Sequence, residues 1–193
     1  MKKLIFASLL VIFLLSLGAP RVIPSRDGNL LLDRKKRVEV TVTYERQSGR
    51  GSNQYAVWIE NEQGKLIRTL FVTRFTANGG YSVRPDCTPT WVNKASPSTL
   101  SQQQVDAFSG ATPASGKHVC MWDLTDESGK IVPPGNYNFL VEGTLLMQSR
   151  VLFKGTISIT NQKTTRKAVP EYTSDGSTRK NMISAVEATY YPE

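Results

Sequence analysis

Val38-Glu39-Val40-Thr41-Val42-Thr43-Tyr44 alternates apolar and polar residues at every second position and is rich in β-branched side chains, the pattern of a strand with one buried face. A second run, Tyr55 to Glu60, passes through Asn61-Glu62-Gln63-Gly64 into Leu66 to Thr73. That spacing predicts a hairpin with Gly64 at a turn position of positive φ. Between Arg74 and Gly116 the alternation stops, interrupted by Gly79-Gly80, Pro85, Pro89, Pro97 and Pro113. One helix is predicted there, Leu100 to Phe108, with Ser98 or Thr99 as its N-cap. Alternation resumes over Lys117 to Leu124, Tyr137 to Thr144 and Gln148 to Ile159; residues 161–181 are polar and loose, and Ile183 to Tyr191 supplies a last strand. About seven or eight short strands with almost no helix predict an all-β fold, an immunoglobulin-like antiparallel β-sandwich with one long, partly helical insert at 74–116. Long irregular inserts are uncommon in compact domains unless they carry function.

The N-terminus belongs to a different class of segment. Lys2 and Lys3 precede an apolar run, Leu4 to Leu17, of about 14 residues, where spanning a bilayer takes roughly 20. Small residues at Ser16 and Gly18 suit cleavage after Gly18, so residues 1–18 are expected to be a secretory signal peptide; the alternative is an uncleaved N-terminal anchor. No cysteine follows the run, which argues against a lipoprotein. The mature chain is expected in the periplasm without a transmembrane helix, with an irregular lead-in at 19–37 and a single sandwich domain at 38–193. Loss of Lys2 and Lys3 lowers the formal net charge from +8 to +6. The basic residues are scattered, and together with the export signal this argues against nucleic acid; they suit solvated flanks that discourage strand edges from pairing.

Cys87 and Cys120 are the only cysteines. In an oxidising compartment an even pair invites a disulfide, which would close a loop of about 33 residues and contribute up to about 3.5 kcal/mol. Two free thiols are the alternative. With His118 as the lone histidine there are too few soft ligands for a structural zinc site. One histidine also cannot support a nucleophilic triad, and neither paired glycosidase-type acids nor a nicotinamide fingerprint is evident.

Trp122-Asp123-Leu124-Thr125-Asp126-Glu127-Ser128-Gly129-Lys130-Ile131-Val132-Pro133-Pro134-Gly135-Asn136-Tyr137 resembles the W-D-G-x-D-x-x-G-x-x-V-P-x-G-x-Y signature of the immunoglobulin-like domain in flagellar hook-capping proteins. It departs at Leu124, where that family usually has Gly. Asp123 and Asp126 suit hydrogen bonds to turn amides and Gly129 a tight turn; a calcium loop would lack its third ligand. Over residues 38–160 the order of parts resembles the exported bacterial proteins of domain-of-unknown-function family 2271. Those parts are the Tyr55–Glu60 strand, Gly64 to Leu70, Trp91, the S-G-A-T segment and the Trp122–Tyr137 hairpin.

Asp106-Ala107-Phe108-Ser109-Gly110-Ala111-Thr112 resembles the D-x-x-[S/T]-G-A-T acceptor sequence of bacterial flavin transferases, which move FMN from FAD onto the final Thr as a phosphoester. The resemblance implies covalent FMN at Thr112, with Asp106 and Ser109 as recognition positions and Gly110 and Ala111 as small residues allowing close approach. A chance match is expected on the order of once in a thousand chains of this length. The structural alternative is a helix C-terminal turn with Gly110 as its left-handed cap. Of the aromatic residues in or beside the insert (Phe75, Tyr81, Trp91, Phe108 and His118), Trp91 and then Phe108 are the expected platform for the flavin ring. The function implied is an exported electron carrier rather than a self-contained enzyme, served by a flavin transferase and a membrane-bound or exported redox partner. The alternative is a non-enzymatic immunoglobulin-like binding or structural module whose insert contacts a partner protein.

Overall fold

The computed structural model describes residues 36–48, 52–145, 150–173 and 182–192. The expected signal peptide, nearly all of the lead-in and the predicted strand start at Gln148 lie outside these residues.

Among the described residues ten strands form two sheets. One has the order β5 (Gly116–Trp122), β1 (Arg37–Tyr44), β10 (Ile183–Tyr191), β8 (Thr164–Lys167). The other has the order β4 (Ser109–Gly110), β3 (Leu66–Thr73), β2 (Gln54–Asn61), β6 (Gly135–Thr144), β7 (Arg150–Ile159), β9 (Val169–Tyr172). The alternation of β1 becomes a strict burial pattern, with Val38, Val40, Val42 and Tyr44 buried. Tyr55, Val57 and Ile59 of β2, with Phe139 and Val141 of β6, face them across a shared core. The sheets therefore pack as two layers around one hydrophobic interior.

β2 departs from alternation: all but its last residue are buried. Its second face, Ala56 and Trp58, meets Val72, Leu140, Trp91, Val105 and Phe108 in a separate apolar cluster. The insert supplies that cover, so its length has a structural cause: it removes the outer face of the larger sheet from water. Burial of a large side chain such as Trp58 is worth about 2 kcal/mol or more.

The insert is more helical than its proline content predicts. It holds α1 (Arg74–Ala77), α2 (Pro89–Ala95) and α3 (Gln102–Phe108), with 3-10 turns at Gly80–Ser82 and Pro97–Thr99. Pro89 occupies the first turn of α2, where its missing N–H costs nothing. The N-cap of α3 is Ser101 rather than Ser98 or Thr99, and it forms a reciprocal capping box with Gln104.

Buried polar side chains of the sheet, among them Gln54, Glu142 and Glu60, help to hold the insert. Gln54 Oε1 accepts hydrogen bonds from the Thr73 and Thr76 hydroxyls (2.5 and 2.9 Å). The Glu142 carboxylate accepts from the backbone N–H groups of Thr90 and Trp91 and pairs with Arg150. Lys94 reaches the Gly64 carbonyl and the buried Glu60, which also accepts from Trp58 Nε1.

Two expectations are corrected. Residues 161–181 are not all loose: Thr164–Lys167 pairs with β10 and Val169–Tyr172 with β7, so the chain passes between sheets with only Ala168 intervening. Those strands escape a periodicity reading because nearly all their side chains are exposed. The pairing is also not wholly antiparallel, since β4 lies parallel to β3. Both cysteines are free thiols: Cys87 is buried in the insert, and Cys120 lies on β5 against the main core. Among the described residues no helix is long and apolar enough to cross a membrane.

The expected Trp122–Tyr137 hairpin is corrected: β5 and β6 belong to different sheets, so this loop crosses between them, with only Thr125 and Ile131 bridging inside it. Asp123 accepts from the N–H and hydroxyl of Thr125, and Asp126 from Ser128 and the Lys130 amide. The Ser128 hydroxyl in particular holds the Asp126 carboxyl below its ordinary pKa. Leu124, standing where the resembling signature has Gly, adopts φ +61°, the left-handed region that Gly tolerates best.

Candidate functional site

The seven residues from Asp106 to Thr112 form the exit of the insert. α3 buries Val105 and Phe108 and turns Asp106 outward, where its carboxylate accepts from Gln102 Nε2 one turn earlier (2.8 Å). The helix does not end in a left-handed glycine. Ser109 is extended, and Ser109 and Gly110 add to the edge of β3 opposite Val72 and Thr73. Gly110 is required there for closeness: a Cβ would lie 2.5 Å from Cε2 of Phe71. Ala111 is exposed and Thr112 half-buried, in a stretch without regular structure that leads into β5. Of the seven residues, only Phe108 is buried.

Thr112 Oγ1 donates to the Asn53 carbonyl at 3.3 Å, at the long end of hydrogen-bond geometry. Neighbouring residues tie the segment down more firmly. Arg46 N donates to Ser115 Oγ (2.9 Å), and His118 Nε2 lies 2.7 Å from the Ala114 carbonyl, which makes that nitrogen the donor. Asn53 is bonded to Gln47 in both directions, N–H to Oδ1 and Nδ2 to carbonyl, at 2.9 Å each. Thr112 thus sits where the β1–β2 loop meets the strap between the sheets, with its hydroxyl the weakest bonded of these groups.

Beneath the strap runs a row of aromatic rings, of which only His118 is among the candidates read from the sequence. Phe71 and Tyr55 have centroids 4.9 Å apart, Tyr55 and Tyr44 5.4 Å, and Tyr44 and His118 5.9 Å. Phe71 and His118 are partly exposed, whereas Tyr44 and Tyr55 are buried. The Tyr44 hydroxyl is buried without a hydrogen-bond partner. Burial raises its pKa and the nearby Arg46 guanidinium opposes that rise; burial, then Cys120 and Tyr44, push Tyr55 far up. The Cys120 thiol is pushed up to about 12 by burial. The one sequence signal for this row is positional, since Tyr44 and Tyr55 are the inward residues at the strand ends nearest the loop.

Trp91 and Phe108 occupy a different place. Their rings meet edge to face at 5.8 Å inside the cluster between insert and sheet. Trp91 is fully buried, and its Nε1 donates to the Thr69 hydroxyl (3.2 Å). The structure brings these two residues together, but as packing that anchors the last turn before Ser109, and it leaves Trp91 no open ring face. Among the described residues no group of three or more His, Cys, Asp or Glu side chains is placed to hold a metal ion.

An open cleft of about 390 Å³ lies at the opposite end of β2, between the Asn61–Gln63 turn and the Lys130–Gly135 loop. The length of the strand puts it some 25 Å from Asn53, so it is separate from the acceptor segment.

In comparison with known proteins, the family described as "Predicted periplasmic protein (DUF2271)" matches residues 35–174. No curated protein and no solved structure matches the chain.

Proposed function

This chain belongs to DUF2271, a family of predicted periplasmic proteins, and on that premise we propose that it is an exported flavoprotein electron carrier with FMN held by a phosphoester at Thr112. One observation carries the reading: the D-x-x-S-G-A-T segment lies at a sheet edge with only Phe108 buried and the others exposed or partly exposed, and it ends in a hydroxyl held by a single long hydrogen bond. A modifying enzyme needs such an accessible segment. Asp106 is exposed and Ser109 partly exposed, and Ala111 beside Thr112 presents little bulk.

In the attachment step Thr112 Oγ1 bonds to the phosphorus of the FMN half of FAD, the bond from that phosphorus to AMP breaks, AMP leaves and the hydroxyl proton is released. A flavin transferase supplies the active site for it. The bound flavin would supply the redox chemistry, and the protein would tether it, present it and tune its potential. Electrons would pass between a membrane-bound partner and an exported one.

Export of the full chain with an active flavin transferase tests this. The expected result is in-gel flavin fluorescence and an FMN-sized mass increment on the Thr112 peptide, both abolished by Thr112→Ala. No increment in the presence of a transferase proven active refutes the proposal, and a fluorescent Thr112→Ala variant assigns the flavin to another residue.

A second reading has its own observation. Phe75 and Val83 in the insert are 44% and 81% exposed, more than packing onto the sheet requires. In that reading the sandwich is an immunoglobulin-like scaffold, and the insert contacts a partner protein without any cofactor. Partner capture that persists in a flavin-free Thr112→Ala chain and fails in Phe75→Ser distinguishes it.

A further inference from the structure

The proposed flavin leaves open where its ring comes to rest, and the expected platform of Trp91 and Phe108 is already consumed by packing. The residues around the strap fit the group. Gly110 lies directly against the Phe71 ring, and the partly exposed His118 ring sits under Ala114, two residues beyond the attachment hydroxyl. The Tyr44 hydroxyl, 1% exposed with the rest of its residue, has no partner. A buried polar atom left unsatisfied is costly in a chain that meets nothing else. An unfilled partner next to an accessible attachment point is what a binding surface for a polar aromatic ring requires.

We infer that Phe71 and His118, the two open ends of the Phe71–Tyr55–Tyr44–His118 row, form the resting face for the ring of a flavin tethered at Thr112, with the Tyr44 hydroxyl supplying a hydrogen bond to it. This rests on the flavin reading above. Phe71 contributes an apolar face beside Gly110. His118 contributes a second ring and is held in place by its bond to the strap. Arg46 places a positive charge near Tyr44, the sign that suits the phosphate arm or a reduced, anionic ring.

The test uses the full exported chain loaded by a transferase and reads flavin fluorescence yield and anisotropy. Tyrosines close to a flavin quench its fluorescence by transient electron donation, so the wild-type protein is expected to be dim and its flavin restrained. Phe71→Leu keeps apolar bulk, and His118→Gln keeps a donor for the Ala114 carbonyl. Both variants should brighten the flavin severalfold and lower its anisotropy while the mass increment on the Thr112 peptide stays; Trp91→Phe should change neither reading. Tyr44→Phe should leave the melting temperature of the unloaded chain unchanged or higher, because it deletes an unpartnered polar atom, and should reduce the stabilisation gained on loading. Wild-type fluorescence and anisotropy in both Phe71→Leu and His118→Gln overturn the inference with the flavin reading intact. A Tyr44→Phe chain destabilised before loading removes the hydroxyl's assigned role. Absence of the mass increment overturns the flavin reading and this inference together.

Discussion

Glu142→Gln is the sharpest probe of how the fold holds its acceptor segment. The Glu142 side chain is fully buried and accepts four hydrogen bonds: Thr90 N (3.2 Å), Thr90 Oγ1 (2.8 Å), Trp91 N (3.1 Å) and Arg150 Nε (2.5 Å). It acts as a tertiary N-cap for α2, whose own N-cap Thr88 sits at φ +42° and makes no side-chain capping bond. The amide keeps one acceptor oxygen and turns the other into a donor facing a donor, and it removes the charge that stabilises both the helix N-terminus and Arg150. Hydrogen bonds to a charged group are worth about 1.5–3 kcal/mol each, and losing one partner of a buried pair costs about 3–5 kcal/mol. The oxygen retained places the expected loss near 3 kcal/mol, which is about 6–12 °C in melting temperature for a domain of this size. Arg150→Met should cost less, about 1–2 kcal/mol, because the carboxylate keeps its helix N–H donors and the favourable end of the helix dipole. Urea denaturation at neutral pH measures both, and amide exchange should show the loss first at Thr90 and Trp91. A Glu142→Gln loss below about 1 kcal/mol, or one no larger than that of Arg150→Met, refutes the capping argument.

Other perturbations read other parts of the structure. Gly155→Ala would place a Cβ 2.3 Å from Cζ of the fully buried Phe139, its cross-strand neighbour, whereas Gly110→Ala meets the partly exposed Phe71 ring at 2.5 Å. Overpacking of the first should cost about 2–3 kcal/mol by denaturation and the second less than half of that, because Phe71 can swing outward; equal costs would show that Phe71 is as confined as Phe139. Leu124→Gly relieves the strain at φ +61° by about 1 kcal/mol but removes a buried side chain worth about 3 kcal/mol, so a net loss near 2 kcal/mol is expected in thermal melts. A loss of about 3 kcal/mol or more would mean that no strain is stored there. Burial raises the pKa of both Cys87 and Cys120, and neither is in a disulfide. Iodoacetamide at mildly alkaline pH should leave both unlabelled in the native chain and label both in denaturant; a disulfide-linked peptide from the unreduced protein contradicts this.

Local pattern alone determined most of the strands. β1 and β10 begin and end within two residues of where alternation places them, because one buried face imposes a period of two on the sequence itself; β2, β3 and β6 do not alternate in burial and are legible instead as short runs rich in apolar and β-branched residues bounded by turn signals. The turn at Gly64 and the Asp126 loop were legible for a similar reason: their hydrogen bonds close between residues four or fewer apart. Tertiary structure decided the rest. β8 and β9 pair through backbone groups that any side chain allows, so exposed residues carry no sign of them. The helices of the insert are short and capped in part by a carboxylate from β6, fifty or so residues away, so propensity understates them. The acceptor motif could be seen as a string of residues, and its exposure could be argued from them. That Trp91 is spent on covering the outer sheet face, and that Phe71, Tyr55, Tyr44 and His118 gather under the strap instead, follows from bringing four strands and a strap to one end of the sandwich. No local pattern encodes that, because each ring comes from a different strand and meets the others only after the two sheets have closed.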